Sequence, residues 1–444
     1  MEKRIMDLIS QNKIVEIRNE LLKMNTADIA QVLEGIQKHQ LVKLFRILPK
    51  DIAAGVFSYI SVELQQHIIE SITDNETRII IDELFFDDAV DFIEEMPANI
   101  VKKVLKNTNE NMRKLINQFM NYPEDSAGSI MTIEYVDLKK EMTVKQAIEH
   151  IKLTGIDKET INTCYVIDAG RKLEGVISIR NLILSNETDL LADIMNDDVI
   201  YIKTTDDQES IAMLFKKYDL LAMPVVDNEH RLVGIITVDD IVDIIDQENT
   251  EDLQKMAAMQ PSEKEYLRTG VFVLAKNRIM WLLILMVSAT FTGNIIKRFE
   301  DVLQSVMILA AFIPMLMDTG GNAGSQSSTL IIRGLALGDI CLNDAFKVLW
   351  KELRVSLVVG TTLTGLNFLR LFYLERVGLL ISVTVTITLF CTVVLAKVVG
   401  GLLPIAAKSV KLDPAIMASP LITTIVDAFT LFIYFTVASW LLGI

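Results

Sequence analysis

Cysteine is scarce in this chain of 444 residues. Its three cysteines, Cys164, Cys341 and Cys391, stand apart with no CxxC and no second ligand at metal spacing, which excludes a disulfide framework and a thiolate metal site. Histidine is nearly as rare, and His39, His67, His150 and His230 all precede residue 260. The later, apolar part therefore offers an ion only carboxylates, amides and carbonyls, a donor set for hard cations such as Mg²⁺ or Ca²⁺. No nucleophile is paired with a base and no glycine loop is built for phosphate, so the chain does not read as an enzyme. With a net charge of −15, it is not expected to bind nucleic acid.

What charge there is lies unevenly. Residues 1–260 carry 47 acids against 28 bases, while the remainder carries 11 against 15. The first part reads as a large acidic soluble body and the second as a membrane domain with basic flanks. Beyond Gly270, hydropathy gives five spans: Ile279–Ile296, Val302–Ile332, Val355–Leu369, Val377–Ala396 and Pro414–Ile444. The third is short and must lean on snorkelling Arg354 and Arg370. Eleven Lys and Arg residues, Lys264 and Arg268 among them, flank one side against four on the other. This predicts a plasma-membrane protein with its N-terminus in the cytoplasm and its C-terminus outside. The start MEKRIMDLIS is too charged for a signal peptide.

Within the last span, Asp427 is a lone carboxylate. A charge at bilayer depth costs about 2.5 to 3.5 kcal/mol or more unless it faces a partner or water, so this acid points to a cation. The second span carries Pro314, Asp318, Gly320, Gly321, Asn322, Gly324 and Gln326, a composition that weakens a helix and suits a pore lining. Small-residue helix packing explains Gly320 and Gly324 but not the three polar side chains.

The acidic part contains a repeat. Cys164–Asp168 followed by Leu173–Asn181 recurs 59 residues later as Met223–Asp227 followed by Leu232–Asp240, each unit reading strand, turn, strand and helix start. The pair resembles the tandem cystathionine-β-synthase (CBS) domains, which often bind adenine nucleotides. The stretches GVISIRN and GIITVDD are similar to that family's nucleotide element, which marks Ser178, Asn181, Thr237 and Asp240 as candidates for ATP. The alternative is that Ser178 and Thr237 only satisfy local backbone groups. Before residue 122 the spacing predicts amphipathic helices near Leu44–Ile60, Glu63–Ile72, Asn75–Leu84 and Asp88–Met96. Acids crowd twice, at Asp87, Asp88, Asp91, Glu94 and Glu95, and again from Asp239 to Asp252. If the two clusters face each other, repulsion favours separation and divalent ions favour closure. A long helix from Ile241 to Ala258 leads from the second cluster to the first span, either as a mechanical coupler or as an inert linker.

Three phrases complete the reading. PMLMDTGGNAGSQSSTLIIRGLALGD, KLDPAIMASPLITTIVDAFTLFIYF and YPEDSAGSIMT resemble the MgtE family of magnesium channels, in that family's order along nearly the whole chain. The resemblance implies a superhelical N domain (1–122), an α/β CBS pair (123–247), a connecting helix (248–269) and a five-helix membrane domain (270–444). It implies a homodimer with Asp427 at the pore ion site, Thr423, Gly321 and Asn322 near it, and Asp413 near the cytoplasmic mouth. It also implies Mg²⁺ sensing by Asp87, Asp91, Asp207, Glu209, Asp219, Asp240, Asp243, Glu248, Glu251 and Asp252. Ser325 departs from the asparagine of some members, and Asp318 is an extra acid. The expected function is passive Mg²⁺ influx shut by cytosolic Mg²⁺. An ion-coupled divalent-cation transporter and a non-conducting nucleotide sensor are the alternatives.

Overall fold

The computed structural model describes residues 5, 7–9, 11, 13–262, 266–267, 269–417 and 419–443. Lys264, Arg268 and Ile444, used above for topology, and most of the first ten residues lie outside that set. The chain divides into two compact units, Met1–Ile245 and Asp246–Ile444.

Among the described residues the first unit begins with a series of short helices that includes α1 (Ile14–Leu21), α2 (Thr26–Glu34), α3 (Lys38–Arg46), α4 (Lys50–Tyr59), α5 (Val62–Ser71), α6 (Asp74–Glu83), α7 (Phe86–Glu95), α8 (Ala98–Asn107) and α9 (Glu110–Phe119). Each presents one apolar stripe to a shared interior that includes Ile29, Leu41, Phe57, Ile68, Phe86 and Ile116. The helix expected over Leu44–Ile60 is two helices, because Pro49 cannot continue α3 and instead stands just before α4. α6 starts with a reciprocal capping box between Thr73 and Glu76.

Two three-stranded sheets follow, each mixed. The first is β1 (Asp137–Leu138), β2 (Thr163–Ile167) and β3 (Leu173–Ser178), with α10 (Val144–Thr154) between β1 and β2. After α11 (Ile179–Leu184) and α12 (Leu191–Ile194), the pattern repeats as β4 (Ile202–Lys203), α13 (Gln208–Tyr218), β5 (Ala222–Val226) and β6 (Leu232–Thr237). In both sheets the hairpin is antiparallel and the short leading strand joins it in parallel. Sequence reading found the hairpins but not β1 and β4, which are too short to show alternation. The two repeats meet through Tyr135, Tyr165, Leu173, Val226, Leu232 and Ile235. The YPEDSAGSIMT segment binds along the second repeat rather than the first. Ala127 N donates to Asp206 O (2.8 Å), Gly128 N to Thr204 O (2.9 Å), and Thr132 exchanges bonds of 2.8 and 2.9 Å with Ile235.

α14 (Val238–Met256) carries the division between the units. In the second unit, α15 (Val271–Arg298), a span from Leu342 to Leu374, α19 (Leu379–Ser409) and a span from Pro414 to Leu442 are long and apolar enough to cross a membrane. A short helix α16 (Glu300–Ser305) and a 3₁₀ segment (Met307–Phe312) precede α17 (Ile313–Ala336), whose polar residues keep it out of that group. The third crossing contains α18 (Ala345–Leu369), and the fifth long helix is α20 (Ser419–Leu442).

Two expectations about the spans need correction. α17 is a continuous helix, because Pro314 lies in its first turn, where no hydrogen bond is lost; the irregular backbone comes before it. The third span is not short either, since α18 runs back through Arg354, Glu352, Lys351 and Lys347. Hydropathy stopped at those charges, but Glu352 is buried and satisfied within the bundle, so the helix has no reason to end.

Candidate functional site

In the membrane unit, α17 packs against both α19 and α20. Its helical period separates two kinds of residue. Gly320, Gly321 and Gly324 are buried, and a Cβ at Gly321 would lie 2.8 Å from the Thr423 methyl of α20. Asp318, Asn322 and Gln326, spaced four apart, form an exposed polar stripe. The small residues and the polar side chains of this segment therefore occupy different faces of one helix.

Asp427 is partly buried on α20. Among the described residues no base pairs with it, and the charged side chain that acts on it is Asp318 of the polar stripe. Thr423 lies one turn earlier, with its hydroxyl donating to Pro420 O (2.9 Å). The structure thus brings Asp427, Thr423 and Gly321 to the α17–α20 contact, with Asn322 on the exposed stripe beside Gly321. Lys397, the base that could have neutralised Asp427, is turned elsewhere: its Nζ donates to Ser327 Oγ (3.4 Å).

Ahead of α20, just before the 3₁₀ turn Pro414–Met417, Asp413 belongs to a charged group built on α14. Lys255 Nζ lies 2.5 Å from Glu251 Oε1 and 2.7 Å from Asp413 Oδ2. Burial opposes the charge on Lys255, but its bonds to Asp413 and Glu251 outweigh that and raise its pKa. Asp252 has a raised pKa through burial and then through repulsion by Asp413. Glu248 is partly buried on the same helix. The sequence places Asp413 at the pore mouth and Glu251 and Asp252 together in the sensor, and gives no sign that Lys255 joins Asp413 to Glu251.

The acidic group of the first unit forms where α7 approaches the start of α14. Burial, then Asp88, lifts Asp87 to about 6, and burial, then Asp240, lifts Asp88 to about 6. Asp240 is lifted to about 7 by burial and then by Asp87, although Thr237 Oγ1 donates to its Oδ2 at 2.7 Å. Asp91 is exposed and feels Asp87, Asp88, Glu94 and Asp240. Two members escaped the sequence reading. Burial, followed in effect by its bond from Phe86 N (3.3 Å) and by Asp87, sets Glu134 at about 7; burial and then Asp87 set Glu159 at about 8. Both come from loops of the first CBS unit, so no local spacing could reveal them. Among the described residues, no three acids, histidines or cysteines converge closely enough to hold an ion directly.

The remaining candidates stand apart. Asp207 caps α13, accepting from Glu209 N (3.1 Å) and Ser210 N (3.4 Å), and Asp219 ends that helix in the left-handed region with φ 50°. Glu209 and Asp243 are exposed. Ser178 caps α11 by accepting from Asn181 N (3.1 Å), while Thr237 is occupied by Asp240. Both hydroxyls therefore have local partners, a backbone amide for Ser178 and the Asp240 carboxylate for Thr237.

Comparison with known proteins adds independent findings. A family model described as a divalent cation transporter matches residues 313–437, one described as the MgtE intracellular N domain matches 24–125, and a CBS domain model matches 191–247. The chain is 37% identical to the magnesium transporter MgtE of Thermus thermophilus, with 96% of this chain and 98% of that protein covered. It is 32% identical to the magnesium transporter MgtE of Bacillus subtilis, covering 98% and 96% respectively. Among solved structures, the cytosolic domain of the Mg²⁺ channel MgtE in complex with ATP matches with TM-score 0.53 and 32% identity. That match covers 55% of this chain and all of the other. Identity of this extent, together with models that match both the intracellular and the membrane parts, shows that the chain belongs to the MgtE family of magnesium transporters.

Proposed function

We propose that this protein is a Mg²⁺ channel that admits the ion down its electrochemical gradient and closes when cytosolic Mg²⁺ is plentiful. The observation that carries the reading is Asp427: a membrane carboxylate with no basic partner among the described residues, under the influence of Asp318 on a stripe with Asn322 and Gln326. Mg²⁺ sheds water reluctantly and is usually held through its hydration shell by one or two carboxylates, so a wet polar groove with few acids suits it. Asp427 would supply the central charge, Thr423, Gly321 and Asn322 its walls, and Asp413 the cytoplasmic mouth. Polar side chains exposed on a membrane helix are costly against lipid. A second copy of the chain, facing the first across the stripe, would turn them inward and pair the two Asp427 carboxylates. The homodimer belongs to this proposal, as does a C-terminus outside the cell.

Closure would use the acids. With little Mg²⁺, Asp87, Asp88, Asp91 and Asp240 repel one another, as do Asp252 and Asp413. Hydrated Mg²⁺ between them would remove that repulsion, with Asp207, Glu209, Asp219, Asp243, Glu248 and Glu251 as further weak ligands. Such binding is loose and suits an abundant ion. ATP at the CBS pair is a second ligand under this reading, supported by the relative crystallised with it.

The test is Mg²⁺ current through the reconstituted full chain. Wild type should conduct at low cytosolic-side Mg²⁺ and fall silent as it rises, whereas Asp427→Ala should lose at least about ten-fold in current, corresponding to about 1.4 kcal/mol. Wild-type current from Asp427→Ala would remove the pore assignment. Flux that follows a proton or sodium gradient would replace the channel with a coupled transporter.

A further inference from the structure

Behind the polar stripe of α17, the structure holds a charge pair that the ion pathway does not use. Ser327, 1% exposed, lies on the buried side of α17. Its hydroxyl donates to Glu352 Oε2 of α18 at 2.6 Å and accepts from Lys397 Nζ of α19 at 3.4 Å. Glu352 is 8% exposed and Lys397 5%, so all three side chains are more than nine-tenths buried. The helices crowd at this point. A Cβ on Gly400 would collide with the Gly324 carbonyl oxygen, and one on Gly401 would lie 3.0 Å from Glu352 Cγ.

We infer that Lys397, Ser327 and Glu352 form a positioning device that fixes the rotation and depth of the pore-lining helix through a fixed cation built into the fold. A buried acid or base alone at this depth is strongly unfavourable, but an acid and a base joined through a hydroxyl satisfy each other. Ser327 follows Gln326 directly, so its side chain points away from the stripe while its place in the helix sets where the stripe points. α18 and α19 each contribute one charge, and α17 contributes the group that lies between them. Lys397 therefore determines the pathway without touching the ion. It neutralises Glu352, and together they hold Asn322 and Gln326 in register with Asp427.

This inference rests on α17 lining the pathway, and the experiment separates the two claims. Mg²⁺ flux and the ratio of Mg²⁺ to Ca²⁺ flux are measured for the full chain in liposomes, with folding checked by gel filtration. Lys397→Met and Glu352→Gln, each leaving one buried charge alone, should lower Mg²⁺ flux at least ~10-fold and reduce the flux ratio. Lys397→Arg should keep both near wild type, and the double variant Glu352→Gln/Lys397→Met should recover most of the flux lost by either single change. Mere packing damage would make the two losses add. Additive losses, or single variants indistinguishable from wild type, overturn the inference. Should both single variants fail to fold, a folded and conducting double variant supports it and a double variant that also fails overturns it. Asp427→Ala run alongside reports on the pore: if it conducts, the pathway assignment fails, and if it is silent while Lys397→Met conducts normally, only the positioning role does.

Discussion

Gly400 has no room for a single added carbon. The position faces the backbone of Gly324, so alanine would push α19 away from α17, and overpacking of this kind costs about 1 to 3 kcal/mol. Gly400→Ala should therefore lower the thermal midpoint of the detergent-solubilised protein. Gly365→Ala is the matched control, because nothing lies within 4 Å of a Cβ there and the change should leave the midpoint unaltered or slightly higher. Equal behaviour of the two variants would show that the close approach is not rigid. The same scale shows what sequence could disclose. Asp427 stands out as a candidate in the sequence because it is one acid in an apolar run. Glu352 and Lys397 do not, because each sits at the edge of an apolar run and resembles an ordinary interfacial residue until the partner on another helix is seen.

Elements were legible where their own period decided them and obscure where a neighbour did. The helix of the connecting segment, expected from Ile241 to Ala258, is observed from Val238 to Met256, because its apolar spacing is local. The apolar pattern of α18 stops short of the helix itself because its buried acid depends on α17 and α19. A further difficulty appears at α13, where Asp207, named for the sensor, also caps the helix. Removing its side chain changes two things at once. Asp207→Ala should destabilise the first unit by about 1 kcal/mol through the lost cap, whatever Asp207 does for Mg²⁺. Asp207→Asn keeps a capping oxygen and removes the charge. A sensor role predicts that the asparagine variant needs more Mg²⁺ to close while its unfolding midpoint stays within a degree or so, as ~0.5 kcal/mol or less would give. If only the alanine variant alters closure, Asp207 is a cap and nothing more.

Across the whole molecule, the CBS pair and the membrane domain were readable because their repeats and apolar runs are long. The acidic group between α7 and α14 was readable only in part, since Glu134 and Glu159 join it through tertiary packing. That group has a thermodynamic consequence with a definite sign. Asp87 and Asp88 titrate near 6 and Asp240 near 7 in the folded chain, above the ordinary aspartate value of about 3.9. The folded state thus binds more protons than the unfolded one in this window. The stability these groups lend is fully present below about pH 4 and is lost as pH rises through 6 to 7. Divalent ions can replace the missing protons only where the carboxylates are ionised. Hydrogen exchange of the Phe86–Glu95 amides, corrected for intrinsic rate, should therefore show protection declining from about pH 4 to about pH 7 without Mg²⁺. Millimolar Mg²⁺ should restore that protection at about pH 8 and add little at about pH 5. Protection that instead grows with pH, or a Mg²⁺ effect of the same size at both pH values, would mean that these carboxylates neither repel one another in the folded chain nor respond to Mg²⁺.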